Sequence, residues 1–295
     1  MKAAEDWLEP LYERLKAELL KREVLHADET TLQVLREPGK TAQSKLYIWL
    51  YRTGGDAEHP IVLYDYQPNR KAEHPQRFLE GWHGFLHADG YEGYHKLPGS
   101  VTIVGCMAHL RRKFDEALKS LPESAREGSL AIAGKRCCDK LFELERDFSD
   151  LAPEKRLEKR KEYSAPLMEE LFAWAASCKA VPKSPVGKAV HYALSQRKYL
   201  ENYLLDGRLE ISNNRAERSI KPFVIGRKNW LFANTPRGAR ASAVMYSIIE
   251  TAKENGPKPY DYLTRIFQTA PNLDLRYTDV LEKLLPHIFK TTAGV

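Results

Sequence analysis

The sequence predicts an α/β protein: a mixed sheet flanked by helices and interrupted by a long helical block. Three observations lead there. Three β-like runs, Val24–Leu35, Leu46–Arg52 and Ile61–Tyr66, are joined by short links rich in turn formers. Two more runs, Phe85–Asp89 and Val101–Cys106, are separated by other structure. From about 109 to 205 the pattern changes to charge-laced helical segments such as Leu141–Asp150 and Glu154–Glu170.

Each element follows from its own stretch. Trp7, Leu8, Leu11, Leu15 and Leu19 repeat at helical spacing, so residues 3–23 read as an amphipathic helix. Glu37-Pro38-Gly39 and Thr53-Gly54-Gly55 are turns, which makes the first three strands an antiparallel meander. Gly54-Gly55 lacks a following Lys-Ser/Thr and is no phosphate loop. Residues 71–83 read as a helix, and the strands on either side of such helices point to parallel pairing, hence a mixed sheet. Trp82, Phe85, Tyr91 and Tyr94 are core candidates. Pro182-Lys183-Ser184-Pro185 interrupts the helical block, and Asp206–Ile211 reads as a turn or small ribbon. Ser212 or Asn213 can cap a helix through Glu217. A helix over Ala239–Glu254 stops at Asn255-Gly256-Pro257. The resulting organisation is an N-terminal helix (1–23), a first core part (24–118), a helical insertion (119–205), a second core part (206–255) and a small helical element (256–295).

Composition excludes several classes. The 295 residues are 43% hydrophobic and 29% charged, ordinary for a folded chain and unlike a disordered one. No apolar run approaches the roughly 18–20 residues that span a bilayer, so no membrane partner is expected. The charged start is unlike a signal peptide. Four cysteines, two of them the adjacent Cys137-Cys138, are too few for a disulfide framework and point to a reducing, cytoplasmic setting.

The net charge is +6, and it is concentrated. Arg197 to Arg240 holds ten cations against four acids, an excess equal to that of the whole chain. Trp230 and Phe232 lie among these cations, so the stretch offers cations for phosphates and aromatic faces for bases. A solvated basic face with Trp230 in the core is the alternative.

The acids complete the pattern. His26-Ala27-Asp28 and His87-Ala88-Asp89 each follow an apolar run, which places two aspartates in or at the end of strands. Carboxylates there carry a desolvation cost unless compensated, and two on neighbouring strands suit Mg²⁺ or Mn²⁺. Glu217, inside the basic stretch, is the candidate third ligand; the alternative reading makes all three turn formers or ion-pair partners. Cys106-x-x-His109 has metal-like spacing, yet no second pair follows at a finger-like interval. Cys106 therefore reads as buried at a strand end. His109, with Arg111 and Arg112 on the next helix, faces a phosphate in this reading.

Several motifs, in order along nearly the whole chain, carry a resemblance. They are "HADETTLQVL" from His26, "YDYQPNR" at 64–70, "DGYEGY" at 89–94, "GCMAHLRRKF" at 105–114, "NNRAERSIKPFVIGRKNWLF" at 213–232 and "YSIIETAKENG" at 246–256. Together they resemble the insertion-sequence-66 family of DDE transposases. Met107 stands where that family usually has Trp.

The resemblance implies an RNase H-like, integrase/transposase core: a mixed five-stranded sheet with the strands of the first two aspartates side by side, and an all-helical insertion before the third acid. It implies Asp28, Asp89 and Glu217 as the catalytic, metal-holding acids, with two Mg²⁺ or Mn²⁺ ions. The activity implied is metal-dependent cleavage and strand transfer at insertion-sequence ends in a bacterial cytoplasm. DNA contacts are expected from His109, Arg111, Arg112, Asn214, Arg215, Arg218, Arg227, Lys228 and Trp230. Expected partners are double-stranded DNA (transposon ends and target), further copies of the chain on DNA, and accessory transposition proteins. Family members carry a coiled coil and a cysteine-rich zinc-binding region ahead of such a core, so the chain reads as the core with its C-terminal element alone. An RNase H-like nuclease that never joins ends, and a silent DNA-binding remnant, are the rival readings.

Overall fold

The computed structural model describes residues 2–289; the outermost positions of the two expected terminal elements lie outside them. A π-helical turn, Ala4–Leu8, leads into α1 (Glu9–Leu19), which buries Leu11, Leu15 and Leu19. The strands are β1 (Val24–Leu32), β2 (Leu46–Thr53), β3 (Val62–Gln67), β4 (Gly84–His87) and β5 (Val101–Val104), with α2 (Glu73–Phe78) after β3. They form one sheet in the order β3-β2-β1-β4-β5. β1, β2 and β3 are antiparallel, with Asp28 opposite Leu50 and Trp49 opposite Asp65. Gly84 N–H donates to Ser100 O at 3.3 Å and Ala88 N–H to Val104 O at 3.1 Å. The register advances in the same direction on both strands, so β4 and β5 are parallel. The sheet is mixed and flanked by helices, with β1 beside β4 in the order, as the family resemblance implied.

Then come α3 (Met107–Lys119), α4 (Leu130–Asp147), α5 (Pro153–Lys159), α6 (Ala165–Ser177) and α7 (Pro185–Leu200). A π-helical turn, Arg160–Ser164, joins α5 to α6. The chain closes with α8 (Asn214–Trp230), α9 (Pro236–Glu254), α10 (Pro259–Thr269) and α11 (Thr278–Glu282). Boundaries moved where local signals ended early. α2 is shorter than the predicted 71–83, and β4 stops at His87, which leaves Asp89 two residues past the strand. α9 starts at Pro236 because Thr235 accepts from Gly238 N–H, and it ends before Gly256, whose φ of +95° suits only glycine comfortably.

Contacts divide the described residues into two compact units. The first comprises those of 1–84, 96–101 and 215–295; the second comprises 85–95 and 102–214. In the first unit, Leu32, Ile48, Leu50, Val62 and Tyr64 pack against Ala216, Ile220 and Phe223 of α8 and Ala239 and Ala243 of α9. That packing sustains α8 although Pro222 lies inside it and removes one backbone bond. On the other face of the sheet Tyr51 stacks on Phe78 at 3.7 Å. β3 is an edge strand, and α9 covers its unpaired groups: Tyr64 N–H donates to Ser247 Oγ at 2.8 Å and Val62 N–H to Thr251 Oγ1 at 3.0 Å.

In the second unit α3 packs on α4 and α7, and its Phe114 also meets Trp174 of α6 at 5.9 Å. Arg160 is fully buried beneath the turn at 206–209.

Candidate functional site

The first unit holds Asp28 and Glu217, and the second holds Asp89. Asp28 is half-buried within β1, four residues before the strand's end. One of its oxygens accepts the Glu29 N–H at 2.8 Å, which fixes the carboxylate's orientation. Its neighbour Glu29, on the opposite face of the strand, has a nearly inaccessible side chain and pairs with Arg70, whose Nε lies 2.7 Å from Oε1. Sequence reading missed this pair. Both residues sit in the quoted motifs, yet nothing in their spacing joins them across 41 positions.

Asp89 closes a short turn past β4, with Oδ1 accepting the Tyr91 N–H at 2.9 Å. Around it Tyr91 and Tyr94 meet edge-on at 5.8 Å, and His95 stacks on Tyr199 at 3.9 Å. Burial pulls the His95 imidazole below its usual pKa and keeps it neutral near pH 7.

Glu217 lies in the first turn of α8. Ser219 orients this turn from below: Arg52 donates to its Oγ at 2.5 Å and the Tyr64 hydroxyl to its backbone carbonyl. Three carboxylates are hard-oxygen donors and match the preference of Mg²⁺ or Mn²⁺. Cys106 is buried after β5, its Sγ accepting the Asn213 N–H at 3.2 Å, and His109 offers a ring nitrogen within 4.8 Å of that sulfur. Cys138 is buried in α4, where desolvation pushes its thiol up to about 12.

The family model described as "Transposase IS66 family" matches residues 1–241. The chain belongs to the IS66 transposase family. Among curated relatives, the uncharacterized protein y4qI of Sinorhizobium fredii (strain NBRC 101917 / NGR234) is 36% identical over 92% of this chain and 52% of its own length. From the same strain, y4hP is 32% identical over 88% of this chain and 50% of its own length. The chain thus spans about half the length of the curated relatives it matches. Among solved structures, the Drosophila P element transposase strand transfer complex covers 81% of this chain and 80% of its own, at 12% identity and a TM-score of 0.40.

The basic stretch of this IS66 chain resolves into engaged and unengaged cations. Arg197 pairs with Glu169 and Glu201, Arg208 with Asp206, Arg237 with Glu5, and Arg240 with Glu9. Arg227 reaches β1 and bonds Thr30 and Thr31. Trp230 meets Phe223 edge-on at 5.4 Å and packs against the core, which favours the core reading of its ring. Arg218, Lys221 and Lys228 are exposed and have no ion pair among the described residues. Arg218, Lys221, Ile225 and Lys228 fall on one exposed face of α8, with Glu217 at its border. Asn214 and Arg215 are half-buried in the helix's first turn.

In the second unit, an open cleft of about 860 Å³ is lined by Arg111, Arg112, Lys119, Arg146, Asp115 and Asp139, among others. Arg111 bonds Asp139 at 2.5 Å, and Lys135 adds a bond at 2.9 Å. Burial raises the Asp139 carboxyl, but those two hydrogen bonds outweigh it and hold it below its ordinary pKa. No helix among the described residues is long and apolar enough to cross a membrane.

Proposed function

We propose that this chain is the catalytic core of a DDE transposase that cleaves DNA at insertion-sequence ends and joins the freed 3′ ends to target DNA. The observation that supports this most is the strand order: β1, which carries Asp28, neighbours β4, whose end leads to Asp89, in a chain of the IS66 family. Glu217 completes the acid set from the first turn of α8. Asp28, Asp89 and Glu217 would hold two Mg²⁺ or Mn²⁺ ions. Bound there, the ions would supply activation of water or a 3′-hydroxyl and charge neutralisation at the phosphorus.

The chain's own groups do the positioning. The Glu29 and Tyr91 amides hold the two aspartates in fixed rotamers, so little ordering remains when ligands arrive. Arg218, Lys221 and Lys228 grip the phosphate backbone beside Glu217, with Arg215 and Asn214 at the helix start. His109, Arg111 and Arg112 of α3 contact DNA from the second unit. Several copies assemble on paired ends in the bacterial cytoplasm, with accessory transposition proteins.

The test combines calorimetry with product analysis. Mn²⁺ titration of the wild type should show binding that Asp89→Asn weakens. On end-labelled DNA carrying the cognate ends, the wild type should give joined species and Asp28→Asn should give none while melting at the wild-type temperature. Cut but never joined product would favour a nuclease. Full joining by Asp28→Asn would overturn the assignment.

A further inference from the structure

The far end of α8 carries an unusual surface. Ile225, Leu231 and Phe232 are 59%, 62% and 42% exposed within eight positions, whereas large apolar side chains at a protein surface normally occur singly. Leu231 has a φ of +64°, making it the sole residue other than glycine with positive φ among the described residues. A branched side chain at such φ is strained and persists only where its surroundings hold it.

The surroundings do hold it. Leu231 N–H donates to Arg227 O at 2.8 Å, ending the helix, and Phe232 N–H donates to Trp230 O at 2.7 Å. Trp230 is anchored on Phe223. On the other side Ala233 N–H donates to Gln33 O at 2.9 Å and its carbonyl accepts Leu35 N–H at 3.0 Å, which ties the chain to the extension of β1. The backbone is clamped on both sides of two apolar side chains that face solvent.

The cations Arg218, Lys221 and Lys228, which have no ion pair among the described residues, lead up to this tip along the exposed face of α8. From 218 to 228 the helix rises about 15 Å, the length of roughly four base steps at 3.4 Å each. Charge complementarity selects a polyanion as the occupant. A second copy placed face to face would set cations against cations.

We propose that Leu231 and Phe232 form a wedge that stacks on an unpaired base at a DNA end, with that strand's phosphates running along Arg218, Lys221 and Lys228. The proposal rests on the reading that the chain acts on DNA ends, and it names the form of end bound: one with splayed terminal bases. Stacking on an aromatic ring would add selectivity that cations alone lack.

The test measures anisotropy of the full chain on two duplexes of one sequence, one blunt and one with three mismatched terminal pairs, with 2-aminopurine at the terminal position. The wild type should bind the splayed duplex about tenfold more tightly, a typical stacking gain, and change the 2-aminopurine emission. Phe232→Ala should reduce splayed-end affinity to the blunt-duplex level and abolish the emission change, and Phe232→Trp should retain both. Equal wild-type affinities, or a preference that survives Phe232→Ala, would overturn the wedge while duplex binding still supported the transposase reading. No binding to either DNA would overturn both. Light scattering without DNA supplies another check: a wild-type dimer that Phe232→Ala dissolves would make the tip a self-association surface. Stronger capture by anionic vesicles than by DNA would make it a membrane contact; either result removes the wedge.

Discussion

Arg227 of α8 donates to the backbone carbonyl of Thr31 and, at 3.1 Å each, to the hydroxyls of Thr30 and Thr31 on β1. The tie reaches the strand three residues beyond Asp28, and it starts from the helix whose first turn carries Glu217. A cation that sequence reading placed against DNA thus braces the two elements holding two of the proposed ligands.

Arg227→Ala should therefore act mainly on stability and chemistry. Losing these bonds should cost about 1–3 kcal/mol, read as a lower urea midpoint. DNA cleavage should fall further than DNA affinity does. A variant that loses affinity first, with an unchanged midpoint, would return Arg227 to the DNA face.

Arg160 makes a second, sharper stability prediction. It is fully buried, bonds both oxygens of Glu145 (2.8 and 2.5 Å), and donates to the carbonyls of Tyr203, Asp206 and Leu209. Arg160→Met strands a carboxylate and three carbonyls, and should cost about 3–5 kcal/mol. Adding Glu145→Leu should recover part of the loss, which chemical denaturation of the single and double variants would measure.

Asp65 sets a pH dependence. Its burial raises the carboxyl above its ordinary value, against the lowering effects of the Gln67 hydrogen bond and of Lys16, Arg240 and Arg77. The folded state thus holds the proton more tightly than the unfolded chain. The resulting stabilisation is full below the unfolded pKa and is lost as pH rises through the folded one. At neutral pH the ionised group is a net cost, so Asp65→Asn should raise the melting temperature at pH 7. The gain should shrink toward zero below about pH 4; an equal gain at both pH values would refute the assignment.

Salt dependence separates the cations. Each of Arg218→Ala, Lys221→Ala and Lys228→Ala should lower the slope of log affinity against log salt by about 0.9. Arg237→Ala and Arg240→Ala should change it less, since those cations already face Glu5 and Glu9. Equal losses across all five would mean that the ion pairs open on binding.

The sequence by itself determined the class, the element order and the family. Local signals suffice for these: alternating or helical periodicity, turn residues at strand ends and a stop at Gly256. Motif order along nearly the whole chain identified the relatives and nominated Asp28, Asp89 and Glu217. Only the tertiary structure decided which charges are used inside the protein. Ten basic residues between 197 and 240 look alike in sequence, because a cation's partner is set by packing across long separations. Arg237 meets Glu5, which is 232 positions away, and Arg227 meets Thr31 across 196. Folding engages Arg197, Arg208, Arg227, Arg237 and Arg240 within the protein, turns Trp230 inward, and leaves one face of α8 as a cationic row ending in an apolar tip.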